Sequence, residues 1–178
     1  MFIYILITVA VIVIAFLIVA ARQPDMFRVE RSMAISAPPE EVFAEVNDFH
    51  KWQLWSPFVE YGRNMTMSYA GPAEGEGAVY AWSGNSKAGQ GRMTMIESWP
   101  AALIRIRLEF TRPFNATNAA EFTFDPDEGQ TIVTWAMIGK NSFMFKAMHT
   151  VMNMDKMVGR DFERGLAKLK VAVETGAH

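Results

Sequence analysis

The sequence predicts an α+β protein in which one transmembrane helix precedes a curved seven-stranded antiparallel sheet wrapped around a long C-terminal helix. Three observations carry this. Residues 1–21 contain no charged side chain, seven short runs between residues 26 and 138 alternate apolar with polar residues, and from Ser142 to Glu174 apolar residues recur every three or four positions. A sheet with one apolar face and a helix with one apolar stripe bury both by packing on each other.

The N-terminal segment separates first. The chain of 178 residues is 51% hydrophobic and 20% charged, with a net charge of −2. Within Met1–Ala21 only Thr8 is not apolar, and removing this segment leaves a remainder that is about 45% apolar, an ordinary globular share. Twenty-one residues at about 1.5 Å each make a helix of about 31 Å, which matches a hydrocarbon core of about 30 Å. Ile3, Val9 and Val13 would favour a strand in water, but in lipid a helix satisfies its own backbone. A cleaved signal peptide competes, with Val19, Ala20 and Ala21 as the small-residue site, and a buried core helix is a third reading. The absence of a basic residue before the run, and the run's length, oppose the signal peptide. Arg22, Arg28 and Arg31 follow the span, so the positive-inside bias predicts a single-pass inner (cell) membrane protein with its soluble domain in the cytoplasm. The organisation is a transmembrane helix at 1–21, a linker at 22–26 and one domain at 27–174.

The domain's elements follow in order. Met26–Ser36 alternates Phe27, Val29, Arg31, Met33 and Ile35 with Arg28, Glu30, Ser32 and Ala34, the period of a strand. Pro38, Pro39, Glu40 and Glu41 then start a helix, with proline in the first turn and carboxylates against the positive end of the dipole. It runs to about Asp48 and puts Val42, Phe43 and Val46 on one face. Trp52 and Trp55, three apart, meet if they share a helical turn, which Pro57 ends. Six alternating runs follow, roughly Met65–Tyr69, Ala78–Trp82, Gly91–Trp99, Leu103–Phe110, Ala116–Phe124 and Thr131–Ile138, the spacing of an antiparallel meander. Each has an apolar face, beginning with Met65, Met67 and Tyr69, while Arg105, Arg107 and Glu109 face water. Asp125–Gly129 reads as the turn between the last two strands. In the C-terminal helix Val151, Met154, Val158, Phe162, Leu166, Leu169 and Val173 form the stripe. Its first half is apolar over more of its circumference.

At this point the chain resembles a known family. From about Phe27 to Val173 it is similar to the START-like, or SRPBCC, superfamily, in its bacterial polyketide cyclase/dehydrase-like branch. The resemblance lies in Ala34–Phe49, Trp52–Phe58, Tyr69–Asn85, Gly89–Ser98 and Met154–Lys170. It implies the helix-grip fold, with a cavity for a hydrophobic ligand between sheet and C-terminal helix. It does not imply cyclase chemistry, because a fold hosts many functions.

Composition narrows the chemistry. With no cysteine there is no disulfide, thiolate nucleophile or Cys-ligated metal, and the near-neutral charge gives no support to nucleic-acid binding. His, Asp and Glu do not recur at metal-ligand spacing, so neither metal nor cofactor is expected. The glycines of 71–77 and 84–89 lead into no helix and read as hairpin loops, not phosphate loops. His149 could act in a cavity or be satisfied locally, and Asp155 could face the cavity, pair with Lys156 or Arg160, or stay solvated. The expected lining is Trp55, Phe58, Trp82, Met93, Met95, Phe110, Phe122, Trp135, Met137, Met144, Met148, His149 and Met152, because methionine and aromatic surfaces suit an adaptable apolar site. The expected function is membrane-anchored binding of a lipid, isoprenoid or quinone-like molecule. An accessory subunit docking on a membrane protein complex is the alternative, and a cyclase or hydrolase ranks third because no acid/base pair can be named.

Overall fold

The computed structural model describes residues 2–61, 65–85, 89–142, 146 and 153–176. Helix α1 spans Phe2–Ala21, and strand β1, Met26–Ile35, follows a four-residue linker. Helices α2 (Pro39–Asn47) and α3 (Trp52–Trp55) and a 3₁₀ turn (Pro57–Tyr61) come next. The meander is β2 (Thr66–Ala70), β3 (Val79–Ser83), β4 (Gln90–Trp99), β5 (Leu103–Arg112), β6 (Ala116–Asp127) and β7 (Gln130–Lys140), and α4 (Met154–Thr175) follows. The sheet order is β1-β7-β6-β5-β4-β3-β2, and every neighbouring pair is antiparallel.

The α2–α3 corner is held by indole donors. Trp52 Nε1–H donates to the Val46 carbonyl at 2.9 Å and Trp55 Nε1–H to that of Glu45 at 3.3 Å. Both acceptors lie in the last turn of α2, where a helix leaves its carbonyls without partners. The two indoles meet with centroids 4.6 Å apart, as their spacing predicts.

Three local expectations change. The turn before β7 is only Glu128 and Gly129, both left-handed (φ 44° and 86°), because a two-residue hairpin loop of that hand matches the strand twist; pairing therefore runs on to Asp127 and Gln130. Strand β2 is an edge strand exposed along its length, so Met67 and Tyr69 do not enter the core. The C-terminal helix, expected from Ser142, is described from Met154. There the Asn153 side chain caps it by accepting the Lys156 N–H at 2.9 Å, a signal that apolar periodicity running across Asn153 conceals. Residues 143–145 and 147–152 lie outside the described residues.

Helix α4 lies along β1 and runs parallel to it. Arg31 reaches from the concave face of β1 to Glu163 (2.8 Å) and Asp155 (3.1 Å). Farther along, the Ser36 N–H donates to the Glu174 carboxylate at 2.8 Å and Lys170 to the Ala34 carbonyl at 2.8 Å. Gly159 makes room for the guanidinium: a Cβ there would lie 2.0 Å from Arg31 Nη2. The partner of Asp155 is thus a strand arginine distant in sequence, not Lys156 or Arg160.

Candidate ligand-binding face

Strand register arranges the concave side chains in rows across the sheet. One row is Trp135, Phe122 and Ile104, and the next is Met137, Ala120, Ile106 and Met95. Beyond it lie Gly139, Asn118, Leu108 and Met93, and then Phe110, Gly91 and Trp82. The rows run toward the end of the sheet where β1 starts, β7 stops and α4 begins.

The first row is solid. Trp135 stacks on Phe162 of α4 at 4.1 Å and 9°, and on Phe122 at 4.9 Å and 26°. Trp55 closes on Trp135 edge-on at 5.8 Å. These four rings and Met95 are buried, so this part of the expected lining is filled by its own side chains. Among the described residues Trp135 Nε1 is buried there without an acceptor, and a buried unpaired donor costs about 1–3 kcal/mol.

The last rows are different. Trp82, Met93, Phe110 and Met137 are only half-buried, and Phe58, on the 3₁₀ turn, is 38% exposed with its ring edge-on to Trp135 at 6.1 Å. Two glycines shape this surface. A Cβ on Gly91 would lie 2.6 Å from the Trp82 ring, and one on Gly139 would lie 2.1 Å from Asn118 Oδ1 and 2.6 Å from the Phe27 ring. Without those side chains, Trp82 lies across β4 and Phe27 across β7. Asn118 sets an amide among apolar neighbours. Gly91, Gly139 and Asn118 are not among the site residues expected from the sequence, although an isolated glycine inside a strand signals close approach of a neighbour. Met144, Met148, His149 and Met152 lie outside the described residues.

Arg31, Tyr80 and His50 are polar groups set near this face. The hydrogen bond from Arg31 to Asp155, then that to Glu163, raises the guanidinium pKa above its ordinary value and holds it charged. Burial, followed by the nearby Tyr69, pushes the Tyr80 phenol up to about 12, so it stays protonated at neutral pH. His50 Nδ1 lies 2.8 Å from Asp48 Oδ1 and its ring stacks on Tyr69 at 4.0 Å, beside a separate depression of about 240 Å³. A larger groove of about 710 Å³ follows the flank of α4 from Asn153 to Ala167. Among the described residues no group of three His, Asp or Glu is placed to hold a metal ion.

The family described as polyketide cyclase/dehydrase and lipid transport matches residues 26–174. Solved structures agree on the fold. The Aha1 dimer from Colwellia psychrerythraea is 17% identical with a TM-score of 0.59, over 85% of this chain and 99% of that one. The protein TTHA0849 from Thermus thermophilus is 16% identical with a TM-score of 0.58, over 85% and 100%. The two-domain ARO/CYC StfQ from the steffimycin biosynthetic pathway is 10% identical with a TM-score of 0.62, over 85% of this chain and 52% of that one. No curated protein matches the chain.

Proposed function

Because this chain belongs to the polyketide cyclase/dehydrase and lipid transport family, we propose that it binds a hydrophobic or amphipathic small molecule against the half-buried rows of its concave face while α1 anchors it in a bilayer. The observation that carries the reading is the contrast along one sheet: solid ring packing at Trp135, and large apolar side chains left half-open at Trp82, Met93, Phe110 and Met137. Exposed apolar area is costly in water, at about 25 cal/mol per Å², and a ligand that covers it recovers that cost. The Asn118 amide offers a hydrogen bond to an oxygen, which fits a lipid, isoprenoid or quinone-like compound.

Helix α1 is long and apolar enough to cross a membrane, and its side chains are largely exposed. In this reading the domain faces the cytoplasm, with Arg22 beside the span, while Arg28 and Arg31 are engaged in ion pairs within the domain. The test is organic extraction of the full chain purified in mild detergent, followed by mass spectrometry and titration with a short-chain ubiquinone analogue read by tryptophan quenching. Saturable quenching that weakens at least ten-fold in Phe110→Arg, with the melting temperature kept, supports the proposal. No extractable apolar molecule and no saturable quenching would refute it.

A further inference from the structure

The near-neutral net charge conceals two poles. At the end of the sheet where β1 begins, the exposed charged side chains include Arg22, Arg112, Lys140 and Lys156. Among the described residues, the carboxylates nearest this end, Asp25 and Asp155, are paired with Lys146 and Arg31. At the opposite end the turns and the start of α2 expose Glu40, Glu41, Glu74, Glu76, Asp127 and Glu128. The basic end also carries exposed apolar side chains: Phe114, in the turn between β5 and β6, is 55% exposed and Met26 is 51% exposed.

The linker fixes which pole faces the anchor. Only Arg22–Asp25 separate α1 from β1, a reach of about 14 Å even fully extended. The linker is also strapped to the end of β7. The Asn141 N–H donates to the Asp25 carbonyl at 2.8 Å, the Asn141 Nδ2–H to the Pro24 carbonyl at 3.0 Å, and Lys146 pairs with the Asp25 carboxylate. The ten residues of β1 carry the sheet about 33 Å away from that point. The acidic pole therefore reaches the surface only if the sheet lies flat, whereas the basic pole is held beside it.

We propose that this basic end is a membrane-docking face that sets Phe114 into the interface of an anionic bilayer, with Arg112 and Lys140 against the lipid headgroups. The proposal rests on the reading of α1 as an anchor. A phenylalanine ring beside basic side chains suits the boundary between headgroups and acyl chains, as on interfacial helices that combine Lys and Arg with Trp, Phe or Leu. Each basic residue near an anionic surface multiplies binding roughly five-fold, so reversing both Arg112 and Lys140 removes a factor of about 30 or more. Docking here turns the half-open rows of the concave face, which end at the same edge, toward the lipid.

The absence of cysteine makes the test direct, since an introduced thiol is the sole label site. The full chain carrying Asn115→Cys or Glu128→Cys is spin-labelled and reconstituted in vesicles of 70% phosphatidylcholine and 30% phosphatidylglycerol (about, by mole). Flotation reports the anchor, and relative accessibility to oxygen and to a water-soluble nickel chelate reports depth. The label at 115 should lie at the interface and that at 128 in water, and Arg112→Glu with Lys140→Glu should return the label at 115 to water. A chain that floats with both labels equally wet overturns docking and leaves the anchor standing; a chain that does not float overturns both. Protection of residue 115 that follows the protein-to-lipid ratio, and not the anionic fraction, assigns the face to a second copy and likewise overturns the proposal.

Discussion

Truncating Phe162 to alanine tests the claim that one end of the sheet–helix interface is solid. The ring is fully buried and lies nearly parallel to Trp135 at 4.1 Å, so the substitution removes both transfer energy and a stacked pair. Loss of a buried phenylalanine costs about 3–5 kcal/mol, of which stacking supplies about 0.5–1.5 kcal/mol. For a domain of this size each kcal/mol lowers Tm by about 2–4 °C, so a fall of about 6–20 °C is expected. The comparison is Met93→Ala in the half-open rows, where the side chain is already partly hydrated and the loss should be about 1–2 kcal/mol. The assay is thermal and urea unfolding of the full chain in mild detergent, followed by near-ultraviolet circular dichroism of the tryptophans. Equal losses for the two variants, or less than about 1 kcal/mol for Phe162→Ala, would refute the division into a solid and an open end.

The other predictions test the supports of that face. Gly139→Ala should cost about 1–3 kcal/mol in urea unfolding, because its Cβ would lie 2.1 Å from Asn118 Oδ1, and adding Asn118→Ala should restore part of the loss. Arg31→Met should cost only about 1 kcal/mol, since its carboxylate partners are more than half exposed, but hydrogen exchange should speed up in the first turns of α4. The Glu174 carboxyl is held below the usual glutamate value first by the Ser36 N–H and then by nearby Lys170. A lowered folded pKa adds stability above about pH 4.3, and this is lost as pH falls through the lowered value. Urea midpoints between about pH 6 and pH 2.5 should therefore drop less steeply for Glu174→Gln than for the wild type.

Strands and order were legible because period-two alternation is a local property. The six meander runs match β2 to β7 to within a few residues at each end. What escaped depended on contacts between distant parts of the chain. For Asp155 helical spacing leaves the cavity, Lys156 or Arg160, and solvent open, yet its partner, Arg31, lies 124 residues away. Gly91 and Gly139 read as ordinary strand residues because the rings that need their empty positions belong to β3 and β1. The described residues among those expected by chemical type to line the site fall into two physical groups. Tryptophan and methionine suit a packed core as well as a cavity, and only the register separates Trp135 from Trp82.

Under the proposed anchoring by α1, the placement of the open rows beside the linker has an energetic logic. Moving an apolar chain from a bilayer into water costs about 0.8 kcal/mol per methylene, so a ligand with ten methylenes faces about 8 kcal/mol if it must cross water. A site opening toward the bilayer avoids that crossing. The proposed tether would add a second effect, since a short linker makes encounter with a membrane-dissolved ligand effectively intramolecular. Both advantages would vanish if the solid end, with Phe162 and Trp135 in contact, faced the membrane. The polarity of packing, the polarity of charge and the position of the linker are three separate properties of this chain, and under the proposed anchoring all three favour the same orientation.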